Sequence, residues 1–376
     1  MLIKNVKIIF PDCIQKGSVK VEDGKIKEIG PSVTGSEPLI DGEGLYLSPG
    51  FIDIHIHGAA GADTMDGTYD AINTISKAVA KHGTTSFLPT TMTMCKDDIK
   101  KALESIAEAK KKGTEGANVL GCHMEGPFIS SCAIGAQNPK YVLAPTVKDF
   151  LYIAGPHLKD VTTLTMAPEV DGALELAEFL NKNNIKVSIG HTNATYEQAL
   201  VGIKCGMCHA THLYNAMTPL NHRNPGTVGA IFDSEITAEM IADGIHIAYP
   251  SIRIALKQKG LRKMMLVTDA MMACTMPDGD YSLGGQRVIV KENAARLENG
   301  SLAGSVLTMD KAVRNIKNNT HYPLHEIVKM ATHNPACYCG VQDRKGSIKE
   351  GYDADLILFD EDINVKKVII GGREVI

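Results

Sequence analysis

The sequence predicts an α/β fold, namely a (β/α)8 TIM barrel with a small β domain built from both ends of the chain. Three observations predict it. Apolar runs of β type alternate with stretches of helical character in the middle of the chain, eight such units follow one another, and both termini consist of short strand-like runs. A chain of 376 residues with 44% hydrophobic residues is long enough for one large domain and one small one.

Both ends of the chain have the character of β structure. Residues 19–21 and 26–29 alternate between apolar and polar side chains, and Asp23-Gly24 between them favours a hairpin turn. Near the carboxyl terminus, strand-like runs at 346–348, 355–359 and 368–370 are separated by Gly and Asp. We therefore predict that residues 1–48 and 341–376 form the small domain and that residues 49–340 form the barrel.

The barrel is predicted from eight runs that have the composition of buried strands. They lie at 50–57, 84–89, 119–125, 162–167, 186–191, 207–212, 237–243 and 264–269. Helical segments at 70–81, 96–112, 173–183 and 195–204 lie between them, and several end near Gly or Asn, as helix termini do. Residues 278–304 contain Gly284-Gly285 and a strand-like run at 287–290, so we expect a hairpin inserted after the eighth strand.

Charge and composition argue against several classes of protein. The 39 Lys and Arg against 43 Asp and Glu give a net charge of −4 without a basic block, so nucleic acid is not an expected partner. No stretch has the length of a membrane span, and residues 1–10 lack the features of a signal peptide. Nine cysteines without regular spacing suit reduced thiols, and we expect a cytoplasmic protein that does not bind membranes.

Potential metal ligands lie at the carboxyl ends of the predicted barrel strands, which is where barrel enzymes place their chemistry. His55 and His57 end the first strand, and two imidazoles two residues apart point to the same side of a strand. The other candidates are Glu125 on the third strand, His191 on the fifth, His212 on the sixth and Asp269 on the eighth. Imidazoles and carboxylates together suit zinc, iron or other first-row divalent ions, and Glu125 is able to bridge two of them.

Two further histidines lie near these candidates. His209 and His212 are three residues apart on one predicted strand and therefore face opposite sides, and we choose His212 because it is nearer the strand end. His123 shares a strand face with Glu125 but lies deeper. This position favours a role in orienting Glu125 over direct ligation.

Several motifs carry a family resemblance that runs nearly from end to end. At these residues the chain resembles the N-acetylglucosamine-6-phosphate deacetylases of the amidohydrolase superfamily. The motifs are Pro49-Gly50-Phe51-Ile52-Asp53-Ile54-His55-Ile56-His57-Gly58, His123-Met124-Glu125-Gly126-Pro127-Phe128, Gly190-His191-Thr192-Asn193-Ala194-Thr195, Thr211-His212-Leu213-Tyr214-Asn215-Ala216-Met217, Val267-Thr268-Asp269-Ala270 and Leu302-Ala303-Gly304-Ser305.

The resemblance implies a barrel with a small β-sandwich domain, a homodimer, and a metal held by Glu125, His191 and His212. It also implies that Asp269 is the catalytic acid and base. Family members that retain both first-strand histidines are able to hold two metals, so the first-strand pair here leaves a dinuclear site open. We expect one or two divalent ions per chain, zinc or iron.

The resemblance further implies contacts to a phosphorylated amino sugar. The family's phosphate contacts map onto Arg223, His246 and the main chain around Asn215 and Ala216, and Arg223 is a candidate for serving the neighbouring subunit's site. In the last motif, Leu302 and Ala303 are expected to contact the substrate as well.

The expected reaction is hydrolysis of the acetamido group of N-acetylglucosamine 6-phosphate by metal-activated water, with Asp269 as general base and acid. One position departs from the family pattern, because Gln137 stands where some relatives have His. The oxyanion of the tetrahedral intermediate is then left to a second metal or to the amide N–H of Gln137.

Two other functions remain open from the sequence. The chain is also compatible with another amidohydrolase, such as an N-acetylgalactosamine-6-phosphate deacetylase, a cyclic amidase or a deaminase, since the first-strand histidines and Asp269 are common to that wider group. Many of those enzymes use a modified lysine bridge, whereas Glu125 fills that role here. A non-catalytic barrel is the second alternative, and the intact ligand set together with Asp269 argues against it.

Overall fold

The computed structural model describes residues 1–35 and 38–376. The chain begins with five strands: β1 (Leu2–Ile9), β2 (Ile14–Glu22), β3 (Lys25–Gly30), β4 (Leu39–Asp41) and β5 (Tyr46–Pro49). β1, β2 and β3 pair in antiparallel order, while β4 and β5 lie parallel to β1. Asp23 and Gly24 both have positive φ between β2 and β3, as the turn signal in the sequence predicts.

The following strands form the barrel and its near loops. They are β6 (Phe51–Ile56), β7 (Gly58–Ala59), β8 (Ala62–Asp63), β9 (Thr84–Thr91), β10 (Asn118–Val119), β11 (Cys122–Glu125), β12 (Val161–Met166), β13 (Lys186–Ile189), β14 (Met207–Ala210), β15 (Thr237–Ile241) and β16 (Met264–Val267). β6, β9 and β11 to β16 lie side by side in parallel, and β10 pairs with β9. The predicted (β/α)8 barrel is confirmed.

The first and last barrel strands meet at the residues that the sequence places in the site. The amide of Asp269 donates to the carbonyl of His55 at 2.9 Å, and the amide of His57 donates to the carbonyl of Ala270 at 2.8 Å. Below them, the hydroxyl of Thr268 donates to the buried carboxylate of Asp53 at 2.5 Å. These bonds hold the first-strand histidines beside Asp269.

Helices cover the outside of the barrel. They are α1 (Tyr69–Ala80), α2 (Lys96–Lys112), α3 (Val147–Ala154), α4 (Ala173–Lys182), α5 (Tyr196–Lys204), α6 (Gly226–Phe232), α7 (Tyr249–Lys259), α8 (Met309–Asn319), α9 (Leu324–Lys329) and α10 (His333–Cys339). The four helices predicted between strands correspond to α1, α2, α4 and α5, with each end within one residue of the prediction. α5 starts at a capping box, in which Thr195 and Gln198 bind each other's backbone amides.

Four barrel strands end two residues earlier than the sequence predicts, at Ile189, Ala210, Ile241 and Val267. Two residues beyond three of these ends, the backbone has positive φ: 48° at His191, 31° at His212 and 49° at Asp269. Residues other than Gly rarely adopt this conformation, and it ends a strand because it lies outside the β region. Three predicted site residues therefore lie in the first turn of the loops and not on the strands.

A small sheet is inserted after the eighth barrel strand. It consists of β17 (Gly279–Leu283), β18 (Gln286–Lys291) and β19 (Ala294–Leu297), which pair in antiparallel order. The sequence predicts only a hairpin here, and the turn at Glu292 and Asn293, both with positive φ, adds the third strand. Val288 and Leu297 pack in one apolar cluster with Met92 and Met271 of the barrel, which places the insert against the barrel mouth.

The carboxyl terminus returns to the first five strands. β20 (Leu356–Phe359), β21 (Val365–Ile370) and β22 (Arg373–Glu374) join a sheet in the order β22-β21-β20-β5-β1-β2-β3, with β4 beside β1. Both ends of the chain thus share one sheet, with Leu47 and Leu356 in its core. Among the residues that the structure describes, no helix combines the length and the apolar character that a membrane crossing requires.

Candidate metal centre

Five side chains of the predicted ligand set converge inside the barrel mouth. The Oε1 atom of Glu125 lies 3.0 Å from Nε2 of His212 and 3.2 Å from Nε2 of His191, and the two Nε2 atoms are 3.1 Å apart. On the other side of Glu125, its Oε2 atom lies 3.3 Å from Nε2 of His57, and its Oε1 atom lies 3.4 Å from Nε2 of His55. The structure therefore forms two candidate metal triads that share Glu125.

Asp269 faces the first-strand side of this cluster. Its Oδ1 atom lies 3.2 Å from Nε2 of His57 and 3.4 Å from Nε2 of His55. All six side chains are buried, and Asp269 is the most exposed of them at 8%. The loop turn that gives Asp269 its positive φ carries the carboxylate to the barrel mouth, where a substrate is able to reach it.

The hydrogen bonds of the histidine Nδ1 atoms, which point away from Glu125, explain why the cluster suits a cation. Nδ1 of His191 lies 3.1 Å from the carbonyl of Ala133, and Nδ1 of His57 lies 3.2 Å from the carbonyl of Thr90. A carbonyl only accepts, so each Nδ1 must carry a proton, and in the neutral imidazole Nε2 is left with a lone pair. These lone pairs face one another and the Glu125 carboxylate. Acceptor atoms at this distance repel unless protons or a metal ion lie between them, so the donor set fits a divalent metal.

The charge of these side chains depends on their burial and on their contacts with one another. Burial lowers the pKa of His57, but hydrogen bonds to Asp269 and Glu125 outweigh burial and raise it to about 9. Burial raises the pKa of Glu125, yet the charges of His55 and His191 hold it well below its usual range. The Glu125 carboxylate is therefore ionised at neutral pH, as a metal ligand must be.

A cavity of about 410 Å³ opens above the cluster. Its lining includes five predicted substrate contacts, which are Gln137, Asn215, Ala216, His246 and Leu302. The ring of His246 is held by its Nδ1 atom, which lies 2.7 Å from Oδ2 of Asp243. The insert adds Arg296, a cation that the sequence prediction missed and whose Nη1 donates to the carbonyl of Gly300 at 2.8 Å. The position of Arg296 depends on how the insert packs on the barrel, so no local signal reveals it.

Two predicted substrate residues lie outside this cavity. Arg223 lines a separate groove of about 470 Å³ beside α5 and α6, so it does not contribute to the cavity of its own chain. Ala303 is fully buried, because its motif attaches the insert to the eighth strand: the amide of Ser305 donates to the carbonyl of Asp269 at 2.7 Å. The role of Ala303 as a substrate contact stays a prediction.

The structure gives Gln137 a different task from the one expected. Its Nε2 atom donates to Oε2 of Glu125 at 2.5 Å and lies 3.7 Å from the sulfur of Met92. Its Oε1 atom accepts from the amide of Thr93 at 2.7 Å. One N–H of the Gln137 amide thus orients Glu125, and the role of the amide toward the oxyanion stays a prediction.

The two extra histidines also differ from expectation. His123 makes hydrogen bonds to the carbonyl of Ile54 at 3.1 Å and to the hydroxyl of Thr165 at 2.7 Å, and not to Glu125. His209 and His212 both reach the barrel interior, because the strand ends at Ala210 and the opposite-face argument does not extend to His212. His209 lies deeper, with its Nε2 atom 3.3 Å from Glu239.

Glu239 is the other residue that the sequence prediction missed. It lies on β15, it is 0% exposed, and its Oε2 atom is 2.8 Å from Nδ1 of His55. A signal for it exists in the sequence, because Glu239 is the single charged residue in the run 237–241. A charged side chain in an apolar strand is rarely fully buried unless it is paired.

A closed parallel barrel with imidazoles and carboxylates converging at its carboxyl-terminal rim defines a hydrolase of the amidohydrolase type. The profile of the Amidohydrolase family matches residues 46–375, and the chain belongs to this family.

Particular members of the family resemble the chain over nearly its whole length. An N-acetylglucosamine-6-phosphate deacetylase of Lysinibacillus sphaericus is 40% identical over 380 residues, which cover 99% of this chain and 97% of the relative. An N-acetylgalactosamine-6-phosphate deacetylase of Escherichia coli O157:H7 is 35% identical over 359 residues, covering 94% and 93%.

Solved structures of enzymes with the same name also match the chain. The N-acetylglucosamine-6-phosphate deacetylase of Pasteurella multocida has a TM-score of 0.95 and 32% identity, with coverage of 99% and 98%. A variant of the Mycobacterium smegmatis enzyme, solved in complex with N-acetyl-D-glucosamine-6-phosphate, has a TM-score of 0.94 and 28% identity, with coverage of 100% and 99%. The resemblance predicted from the motifs is confirmed.

Proposed function

We propose that this chain hydrolyses the acetamido group of N-acetylglucosamine 6-phosphate and releases acetate and glucosamine 6-phosphate. The observation that carries the proposal is the convergence of four histidine Nε2 atoms on Glu125 and Asp269 beneath a cavity of about 410 Å³. The relatives named for this reaction, including one solved with this substrate, support the choice of substrate.

The cluster is proposed to hold one or two divalent ions, zinc or iron. Glu125, His191 and His212 would hold the first, and His55 and His57 would hold the second with Glu125 between the two. A bound divalent ion supplies Lewis-acid chemistry, since it lowers the pKa of a water molecule and polarises a carbonyl.

Asp269 is proposed to move the proton. Its carboxylate takes a proton from the water whose oxygen forms the new bond to the acetyl carbon. The carbon–nitrogen bond then breaks, and Asp269 returns the proton to the nitrogen, which leaves as the amine of glucosamine 6-phosphate. Because Asp269 already lies beside His57 and His55, it is positioned at the reacting end of the cavity.

The remote phosphate is proposed to hold the substrate in place. His246 and the main chain at Asn215 and Ala216 line the cavity of the same chain. Arg223 is assigned to the site of a neighbouring subunit, since it does not line the cavity of its own chain. We also propose that the protein is a cytoplasmic homodimer. The terminal sheet is proposed to form a β-sandwich domain, with domain boundaries at 48/49 and 340/341.

The test combines metal analysis with an acetate-release assay on purified protein. We expect a first-row divalent ion in active preparations, loss of activity on chelation, and recovery when zinc or iron is added back. N-acetylgalactosamine 6-phosphate and unphosphorylated N-acetylglucosamine serve as comparison substrates. Active enzyme free of such metals would exclude the proposed chemistry, and faster turnover of the galactosamine compound would move the proposal to that substrate.

A further inference from the structure

A carboxylate outside both metal triads binds two of their members. Glu239 is fully buried, and its Oε2 atom lies 2.8 Å from Nδ1 of His55 and 3.2 Å from the backbone nitrogen of His212. Its Oε1 atom lies 3.3 Å from Nε2 of His209. Burying a charged carboxylate in a barrel core is costly unless each oxygen has a hydrogen-bond partner. Glu239 has such partners, and two of them belong to candidate metal ligands.

We propose that Glu239 is the positioning residue that makes His55 a metal ligand and so creates the second ion position. A carboxylate accepts the proton on Nδ1 of His55, which leaves the lone pair of Nε2 facing Glu125 and Asp269. In the other tautomer, Nε2 would carry the proton and would not bind an ion. This inference rests on the proposed metal-dependent function and assigns one of its residues.

The bond to His212 extends the same role to the other triad. Nδ1 of His212 has no hydrogen-bond partner among the described residues, so no hydrogen bond on the outer nitrogen of the ring holds that ligand in orientation. Its backbone has a positive φ of 31°, which ordinary residues rarely adopt. The bond from its amide to Glu239 supports that conformation. One carboxylate therefore braces a ligand from each side of Glu125.

An alternative role for Glu239 is direct ligation, because Glu239, His55 and His123 also form a group with metal-ligand spacing. The hydrogen bonds argue against it. Both ring nitrogens of His123 lie beside oxygen partners, Ile54 and Thr165, and the second oxygen of Glu239 is bonded to His209. Ligation through Nδ1 would also turn His55 away from its role in the triad with His57.

The principal test is zinc binding by Glu239→Gln, which keeps the shape and an acceptor oxygen but removes the charge. Wild-type protein and variant are stripped of metal and titrated with zinc in competition with a chromophoric chelator. We expect two ions per wild-type chain, and in the variant a loss of zinc affinity of about 10- to 100-fold that is largest at the position of His55. Circular dichroism and thermal unfolding report whether the variant is folded, and acetate release is measured separately.

A matched control is Asp310→Asn. Asp310 is a buried carboxylate that also pairs with a histidine, since its Oδ2 atom lies 3.2 Å from Nδ1 of His82, but neither residue belongs to the cluster. Loss of that charge should leave both zinc affinities unchanged. An equal loss of zinc in both variants would mean that general damage to the core explains the effect, and it would overturn the inference.

Other outcomes separate this inference from the proposed function. Two ions bound with wild-type affinity by Glu239→Gln would overturn the inference alone. If the wild-type protein binds a single ion, both the inference and the dinuclear site are overturned. If the wild-type protein is active without any metal, the proposed function itself is wrong.

If Glu239→Gln does not fold, the wild-type protein still provides a test. Nitrogen-15 labelling of histidines in the zinc-loaded protein, with His55 assigned by its absence in His55→Gln, reports which ring nitrogen carries the proton. A proton on Nδ1 and zinc on Nε2 are expected. Zinc on Nδ1 of His55 would contradict the inference.

Discussion

At the scale of single residues, the site depends on which atom of each imidazole carries a proton. Backbone carbonyls of Ala133 and Thr90 hold the Nδ1 protons of His191 and His57, so the Nε2 lone pairs point toward Glu125. Gln137 holds the other side of Glu125. Hydrogen bonds to the candidate metal ligands thus decide which of the ligand atoms face the centre of the cluster.

Asp269→Asn is the prediction at this scale. The change keeps the volume and one acceptor oxygen of the side chain, but an amide cannot take or return a proton. We expect turnover to fall by at least about a hundredfold, while substrate affinity and metal content persist. Turnover, affinity and metal content must be measured on one preparation, because metal loss imitates a catalytic defect. Near-normal turnover with full metal occupancy would remove Asp269 from the mechanism.

At the scale of elements, the loops after the strands carry the site, and the terminal sheet joins the two ends of the chain. Asp353 lies just before β20 and binds groups from distant parts of the sequence. Its Oδ1 atom is 2.5 Å from Nζ of Lys25, and its Oδ2 atom is 2.7 Å from Nη1 of Arg344 and 3.1 Å from Nζ of Lys345. Its side chain is 16% exposed, so water screens these pairs less than it screens exposed pairs.

We predict that the contribution of Asp353 to the stability of the fold depends on pH. Burial raises the pKa of Asp353, but the hydrogen bond from Lys25 and the charge of Lys345 outweigh burial and lower it to about 2. A carboxylate whose pKa is lower in the folded state stabilises the fold above its unfolded pKa, and this contribution is lost as pH falls through the folded value.

Asp353→Asn should therefore lower the free energy of unfolding by about 1–2 kcal/mol at pH 7, and the difference from wild type should shrink between about pH 4 and pH 2. Denaturant unfolding at several pH values measures it. Asp360→Asn is a comparison just after β20, at a carboxylate whose side chain is 30% exposed and whose partner Lys366 is half exposed, so water screens the pair more and a smaller change is expected. A difference for Asp353→Asn that stays constant down to pH 2 would contradict the assignment.

At the scale of the whole molecule, the position of Arg223 bears on which chain supplies the cationic side chain that binds the substrate's phosphate. It lies in a groove lined by Asn193, Tyr196 and Asn224, apart from the cavity above Glu125. In a dimer with twofold symmetry, the Arg223 side chain of each chain would then extend into the cavity of the other chain.

Mixed dimers test this arrangement. An Asp269→Asn chain and an Arg223→Ala chain are co-expressed with two different tags, and the mixed dimer is purified. If Arg223 acts across the interface, this dimer has one site with both changes and one intact site. We expect about half of the wild-type activity, because one of two symmetric sites is whole. If Arg223 acts within its own chain, no intact site forms and the mixed dimer is no more active than the Arg223→Ala homodimer.

The Arg223→Ala homodimer should itself lose catalytic efficiency mainly with the phosphorylated substrate, since the guanidinium acts on the phosphate. Equal losses with phosphorylated and unphosphorylated N-acetylglucosamine would argue against a phosphate contact. This comparison also provides the baseline for the mixed dimer.

The barrel, the helices between its strands and the convergence of Glu125, His191 and His212 could be predicted from the sequence. Local patterns suffice for these features, because strand and helix periodicity is written in neighbouring residues and parallel strands bring their carboxyl ends to one rim. The hydrogen-bond partners across the barrel could not be predicted in this way. His55 and Glu239 are 184 positions apart, and their contact depends on strand order and register. The third strand of the insert, the bond of Gln137 to Glu125 and the location of Arg223 outside the cavity are likewise set by packing between distant segments, which no local pattern records.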